Sequence, residues 1–290
     1  MRDHWAGRFM AMASPCDVLI EDVPQAVARN ILDCVAECAW RIERKFSRYR
    51  ADSVVHEINA RAGEPVDVDD ETARLLDFAA ALTSLSDGRF DITSGVLRRA
   101  WTFDGGSRVP SQTQIDALLP LVGWRKVSWS RPTLQLEAGM QIDFGGIGKE
   151  YAVDTAVASA NAIAPGISCL VNFGGDVAVL NPRRDGHSWR VGIESADRPG
   201  AARELVALER GALATSGDSR RFLINNGRRY SHILDARTGW PVPHAARSVT
   251  VAADTCTQAG SVTTLAMLQG AQAKTFLESS GCRYWLQTGQ

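Results

Sequence analysis

The sequence has no surplus of either charge: 32 Lys and Arg face 33 Asp and Glu, a net charge of −1 over 290 residues. Nonspecific binding to nucleic acid or to an anionic membrane needs a basic excess and is thereby excluded. No apolar run approaches the ~18 residues of a membrane span. Met1 to Arg8 is mostly polar, and Phe9 to Ala13 is too short for the apolar core of a secretory signal, so the chain reads as cytoplasmic. There is no Cys or His pair near Cys34 and Cys38 to complete a tetrahedral metal site. With Cys16, Cys169, Cys256 and Cys282 they read as reduced thiols, mostly buried. The eight Trp are scattered and form no stacking platform for single-stranded nucleic acid. Repeats, low-complexity tracts and a separating linker are also missing, which leaves one domain over residues 1–290.

What is present is an apolar content of 45%, enough for a full core in a chain of this length. Val27, Ile31, Leu32, Val35, Ala39 and Ile42 recur at helical spacing and predict a long helix between Pro24 and Tyr49. A second runs from about Asp70 to Leu85, with Asp69, Asp70 and Glu71 at its positive end and Asp87-Gly88 as its stop. A short helix follows Ser111, and a hairpin surrounds Arg131-Pro132. A helix from Lys149 to about Ala162 precedes a run of strands beginning at Cys169, and two helices follow Gln258 and Ala271. Asn225-Asn226-Gly227 reads as a hairpin turn. Elements in blocks rather than strict alternation predict an α+β fold with antiparallel sheets.

Three segments carry chemistry. Asp143-Phe-Gly-Gly-Ile-Gly-Lys149 is a glycine-rich turn opening a helix, suited to an anion or simply to tight packing. It is neither a Walker loop, since Asp143 stands five before Gly148, nor a dinucleotide fingerprint, since position 151 is Tyr. Asn172-Phe-Gly-Gly-Asp176 places two glycines in a strand, as a bulge or a close backbone approach. Finally Thr215-Ser-Gly-Asp218 and Tyr230-Ser-His-Ile-Leu-Asp235 supply Ser216, His232 and an Asp. They lack the Gly-x-Ser-x-Gly elbow of a hydrolase, and His232 on its own reads rather as a hydrogen-bonded core histidine.

In order, these segments resemble the FAD:protein FMN transferase (ApbE) family over nearly the whole chain. The matching blocks are Met12-Ala-Ser-Pro-Cys-Asp-Val, Phe46-Ser-Arg-Tyr-Arg with Ser53 and Asn59, and Gly88-Arg-Phe-Asp-Ile-Thr-Ser-Gly95 with Trp101-Thr-Phe103. Asp143 to Asp154, Val171 to Asp176, Thr215 to Asp218, Ser231 to Gly239 and Ser248 to Val251 complete them. The resemblance implies an α+β fold around a flavin cleft, with FAD as substrate and Mg2+ as cofactor. It also implies a partner protein whose Thr or Ser hydroxyl attacks the FAD pyrophosphate, so that FMN becomes attached and AMP leaves. Carried over, the flavin positions are Met12, Tyr49, Arg89, Phe90, Asp91, Asp143, Lys149 and Leu234, and His232 assists the incoming hydroxyl. The metal positions are the Gly146 carbonyl and Thr264, with Thr263 beside it.

Two departures stand out. The family closes its metal site with Ala-Asp-x-x-x-Thr; here Ala259-Gly-Ser-Val-Thr-Thr264 puts Gly260 where the carboxylate belongs. Glu150 follows Lys149 where the family usually has Gly. A hard divalent ion without its carboxylate binds weakly to neutral oxygens. Either transfer persists, with the ion held by Gly146, Thr264, water and FAD phosphates, or the chain binds FAD with little or no transfer, or Gly260 is an introduced loss of the ligand. On the sequence alone, Gly260→Asp is expected to strengthen metal binding.

Overall fold

The computed structural model describes residues 4–198, 200–218 and 221–289. Its centre is a seven-stranded sheet, antiparallel throughout, whose strands lie side by side in chain order. They are β1 (Trp5–Ala11), β2 (Ser14–Glu21), β3 (Ser168–Phe173), β4 (Asp176–Val179), β5 (Gly211–Gly217), β6 (Ser248–Ala253) and β7 (Arg283–Gln287). Cys16, Val18 and Ile20 of β2 alternate inward, the period-two pattern of a strand with one face on the core. The Gly174-Gly175 pair does not bulge a strand. It is the two-residue turn between β3 and β4, with φ of 63° and 103° that β-carbon-bearing residues resist.

Three helices cover one face. α1 (Gln25–Phe46) buries Ile31, Val35, Ala39 and Ile42, four of the six apolar residues that predict it, and ends on Arg44 and Lys45 at its negative pole. α2 (Val54–Ala60) is capped by Ser53 and α3 (Asp70–Leu85) by Asp69, whose carboxylate accepts from the Thr72 N–H at 2.9 Å. α4 (Gln112–Asp116) begins on a Ser111 capping box. α5 (Gly148–Ile163) and α6 (Cys256–Leu268) complete the layer with α1, and α7 (Ala273–Ser279) leads back to β7. The main core lies between these helices and the sheet. On the other face, the hairpin Trp189–Glu194 with Ala202–Leu208 buries Leu170, Val177, Val179 and Leu213. A third cluster, Val96, Leu97, Trp101, Ile115, Leu223 and Ala236, sits under the hairpin Phe222–Asn225/Arg228–Ser231. This is the α+β antiparallel architecture that the block order of elements predicts. All six cysteines are free, and burial pushes the Cys16 and Cys169 thiols up to about 11 and 12. Among the described residues no helix is long and apolar enough to cross a membrane.

The helices are tied by one carboxylate. Glu71, in the first turn of α3, takes a two-pronged bond from Arg41 (2.7 and 2.8 Å), one from Lys45 (2.6 Å) and one from the Tyr151 hydroxyl (2.8 Å). The Arg41 fork, against the opposing effect of burial and with help from Lys45 and Tyr151, brings its pKa from 4.5 down to about 2. A depressed carboxylate pKa contributes stability that is present above the unfolded value and lost as pH falls toward the folded one. Stability is therefore expected to decline between about pH 4.5 and 2 through this group. Urea unfolding of Glu71→Gln across that window checks it: the variant should lose the part of the slope that Glu71 supplies.

Candidate functional site

The glycine-rich turn is held in place before α5 begins. The Asn59 amide brackets Ile142, accepting its N–H at 2.7 Å and donating to its carbonyl at 3.0 Å, and so fixes the backbone that presents Asp143. Asp143 accepts the Gly145 N–H at 2.9 Å and faces the guanidinium of Arg48 at 3.1 Å and of Arg98 at 3.8 Å. Tyr49, 77% exposed, has the Arg48 guanidinium 4.5 Å and the Arg98 guanidinium 5.3 Å from its ring. A cleft of about 310 Å³ opens here, lined by Arg48, Tyr49, Asn59, Gly95 and Arg98 among others. An exposed ring between two cations, beside a carboxylate, suits a planar anionic ligand. Asp143→Ala should cost about 1 kcal/mol of stability, since its ion pairs are partly solvated, but should weaken FAD binding at least about tenfold. Parallel melting and flavin-fluorescence titrations separate the two effects.

The neighbouring segment is mostly committed to structure. Asp91 is buried, and its carboxylate accepts from the Thr93 N–H (2.8 Å), the Thr93 hydroxyl (2.6 Å) and the Trp124 N–H (2.7 Å). It braces a turn rather than offering free oxygens to a ribose. Arg89 donates to the Leu268 carbonyl at the end of α6 (2.9 Å). The Phe90 ring lies 3.0 Å from where a β-carbon on Gly146 would stand, so a side chain there would press on the ring. Met12 forms the left-handed turn between β1 and β2 (φ 51°), and Leu234 packs against the third cluster.

At the start of α5 the two carboxylates and the lysine come together. The Lys149 ammonium pairs with Asp176, just past the Gly174-Gly175 turn, and is 3.9 Å from where a Gly174 β-carbon would stand. Burial pulls the ammonium down, but Asp176 and Glu150 outweigh it and hold the lysine above its usual value. Asp176 is 1% exposed, and its Oδ1 accepts the Thr215 N–H at 3.2 Å. Glu150 is 9% exposed, and its Oε2 has no hydrogen-bond partner among the described residues. Burial first, then the nearby Asp176 charge, pushes its carboxyl well above the usual carboxylate range. Opposite stands α6, whose first turn is capped by Asp154 of α5 through the Cys256 and Thr257 N–H groups (2.7 and 2.8 Å). Thr263 donates to the Gly260 carbonyl at 2.8 Å, and the Ser216 hydroxyl bridges Thr263 (2.8 Å) and Thr264 (3.2 Å). Ser216 is joined to these two threonines, in keeping with the missing hydrolase elbow around it.

His232 directly follows the strand Arg228–Ser231. Its Nδ1 lies 3.0 Å from the Arg221 carbonyl, which can only accept, so the ring proton sits on Nδ1 and Nε2 carries the lone pair. Burial lowers its pKa. No Ser-His-Asp triad forms among the described residues. Asp218 is held by Arg229 and Arg247 (2.8 Å each), and Asp235 by Arg237 at 2.9 Å.

The donor set around Gly260 is oxygen-rich: hydroxyls of Ser216 and Thr264, backbone carbonyls and one buried carboxylate oxygen without a partner. Those are hard ligands that suit Mg2+ sharing its coordination with substrate phosphates. Among the described residues no three His, Cys, Asp or Glu side chains converge as a metal cage.

The sequence profile of the ApbE family matches residues 12–286. The FAD:protein FMN transferase of Vibrio cholerae is 31% identical over 237 residues, 79% of this chain and 70% of that protein. The crystal structure of the ApbE protein of Thermotoga maritima superposes with a TM-score of 0.89 at 32% identity, covering 98% of this chain and 94% of that one. The apo flavinyl transferase ApbE of Pseudomonas stutzeri superposes at 0.87 with 30% identity, covering 99% and 92%.

Proposed function

We propose, from the premise that this chain belongs to the ApbE family, that it transfers FMN from FAD to a Thr or Ser hydroxyl of a partner protein and releases AMP. The observation that carries the reading for these residues is the meeting of the Lys149–Asp176 pair, the buried Glu150 carboxylate and the α6 hydroxyls at the first turn of α5. That arrangement is built for a pyrophosphate: a cation on one side, hard oxygens on the other, and the positive end of a sixteen-residue helix between them.

The chemistry asks for little covalent work from the protein. The acceptor oxygen forms a bond to the FMN phosphorus, the bond to the bridging oxygen breaks, and AMP departs with that electron pair. The hydroxyl proton goes to His232 Nε2, the one ring nitrogen with its lone pair free. Tyr49 and the Arg48–Asp143–Arg98 group hold the flavin end, and Lys149 faces the phosphates. Behind them the Phe90 ring lies against Gly146, Asp91 braces the Thr93–Trp124 segment and Arg89 ties to the end of α6. The Gly146 carbonyl and Thr264 would hold Mg2+, which when bound would neutralise charge on the pyrophosphate. Thr263, whose hydroxyl is donated to the Gly260 carbonyl, orients Ser216 rather than the ion.

A transferase and an FAD hydrolase differ in what they need. With FAD and Mg2+, AMP should accumulate only when a peptide bearing an acceptor Thr is present, and not with its Val counterpart. AMP release at the same rate without any acceptor would assign the site to hydrolysis.

A further inference from the structure

Two departures from the family pattern, Gly260 on α6 and Glu150 on α5, are in direct contact. A β-carbon built on Gly260 would stand 2.5 Å from Glu150 Cγ, 2.9 Å from Oε1 and 3.0 Å from Cδ. The Glu150 side chain thus fills the volume in which any side chain at position 260 would begin. Gly260 is the residue that makes room for it. Its Oε2 is buried and accepts no hydrogen bond from any described residue. A carboxylate oxygen is not left so unless something outside the chain meets it, or it carries a proton.

We propose that the two changes are one exchange: Glu150 supplies the carboxylate that position 260 lacks, so the divalent cation is held from α5 instead of α6. The proposal rests on the transferase reading above, and adds that this chain has moved its anionic metal ligand rather than lost it. The surroundings fit. The hydroxyls of Thr263, Ser216 and Thr264 are linked at 2.8 and 3.2 Å beside the Gly260 carbonyl, so neutral oxygens are gathered where the carboxylate enters. Lys149, the preceding residue, pairs with Asp176 and gives Glu150 Oε2 no hydrogen bond. The expectation drawn from sequence for Gly260→Asp is reversed by this contact. That single variant would drive a second carboxylate into Glu150 and should bind metal no better than the parent.

Mn2+ binding, followed by loss of the free-ion electron paramagnetic resonance signal in the presence of FAD, reads the site without turnover. Glu150→Gln keeps the packing and removes the charge. It should weaken Mn2+ by more than the roughly 10–100-fold that outer-sphere partners carry. The exchange Glu150→Gly/Gly260→Asp should return affinity to within a few-fold of the parent. FAD affinity without metal is titrated for each variant, and Mn2+ affinities are compared at saturating FAD, so that any change in flavin binding from the lost charge is kept apart from the change in metal binding. Equal Mn2+ affinity in the parent and Glu150→Gln overturns the proposal, as does a parent that binds FAD but no Mn2+. A parent that binds no FAD at all overturns the transferase reading on which the proposal stands. If the double variant does not fold, Glu150→Gln decides alone, since melting in the presence and absence of Mn2+ gives an independent answer: the parent is stabilised by the ion and the Gln variant is not.

Discussion

Replacing His232 with alanine is expected to slow FMN transfer by about 10²–10⁴-fold while leaving FAD affinity within a few-fold of the parent. The expectation follows from one contact. The Arg221 carbonyl takes the Nδ1 proton, so the neutral ring has no choice of tautomer and offers its lone pair at Nε2. Burial lowers the pKa of the ring, so the basic form is already the populated one at neutral pH. The sign of the pH dependence is then fixed. Transfer should rise with pH through a value below the usual 6.5 of histidine and be level by pH 7. His232→Ala should lose that limb of the profile. His232→Gln, which can hydrogen bond at the same place but cannot take the proton, should fall as far as alanine. Recovery of most of the rate in Gln would make the residue a positioning group instead.

The second large effect concerns Lys149, and it falls on stability first. Asp176 is 1% exposed, and among the described residues its Oδ2 has no partner besides the Lys149 ammonium. Lys149→Met keeps the aliphatic stem and strands a buried carboxylate. Breaking one side of a buried pair costs ~3–5 kcal/mol, and the lower end applies because the lysine side chain keeps 29% exposure. Neutralising both, as Lys149→Met/Asp176→Asn, should recover more than half of that loss, because no uncompensated charge remains. Flavin affinity should not recover with it. Urea melts of the three variants beside FAD titrations distinguish a lysine that merely props the fold from one that also meets the phosphates. Equal recovery of both properties in the double variant would remove Lys149 from the binding site.

Much of the layout is readable because local signals are decisive where they occur. α3 is predicted at both ends, since Asp69 caps it and Asp87-Gly88 cannot continue it. The hairpin at Asn226-Gly227 is readable for the same reason. The β1–β2 hairpin is not, although Cys16, Val18 and Ile20 alternate plainly. Its turn is made by Met12 and Ala13 at positive φ, with no Gly or Asn to announce it. The site divides in the same way. Ordered blocks nominate candidates, such as Asp143, Lys149 and His232, but not what each one touches. Asp91 turns inward to Thr93 and Trp124, a choice made by folding and not by its own type. The contact between Glu150 and Gly260 joins two helices far apart in the chain, and no periodicity or spacing links such positions. Each looks like an isolated defect in sequence; in space one accommodates the other.

The most direct test of the account is the intact mass of a Thr-bearing acceptor peptide after incubation with this protein, FAD and Mg2+, with AMP quantified in the same sample. The account predicts a peptide heavier by one FMN, in equal amount to the AMP released. Tight FAD binding with an unmodified peptide and no AMP would contradict it, and would make the cleft a flavin-binding site without transfer.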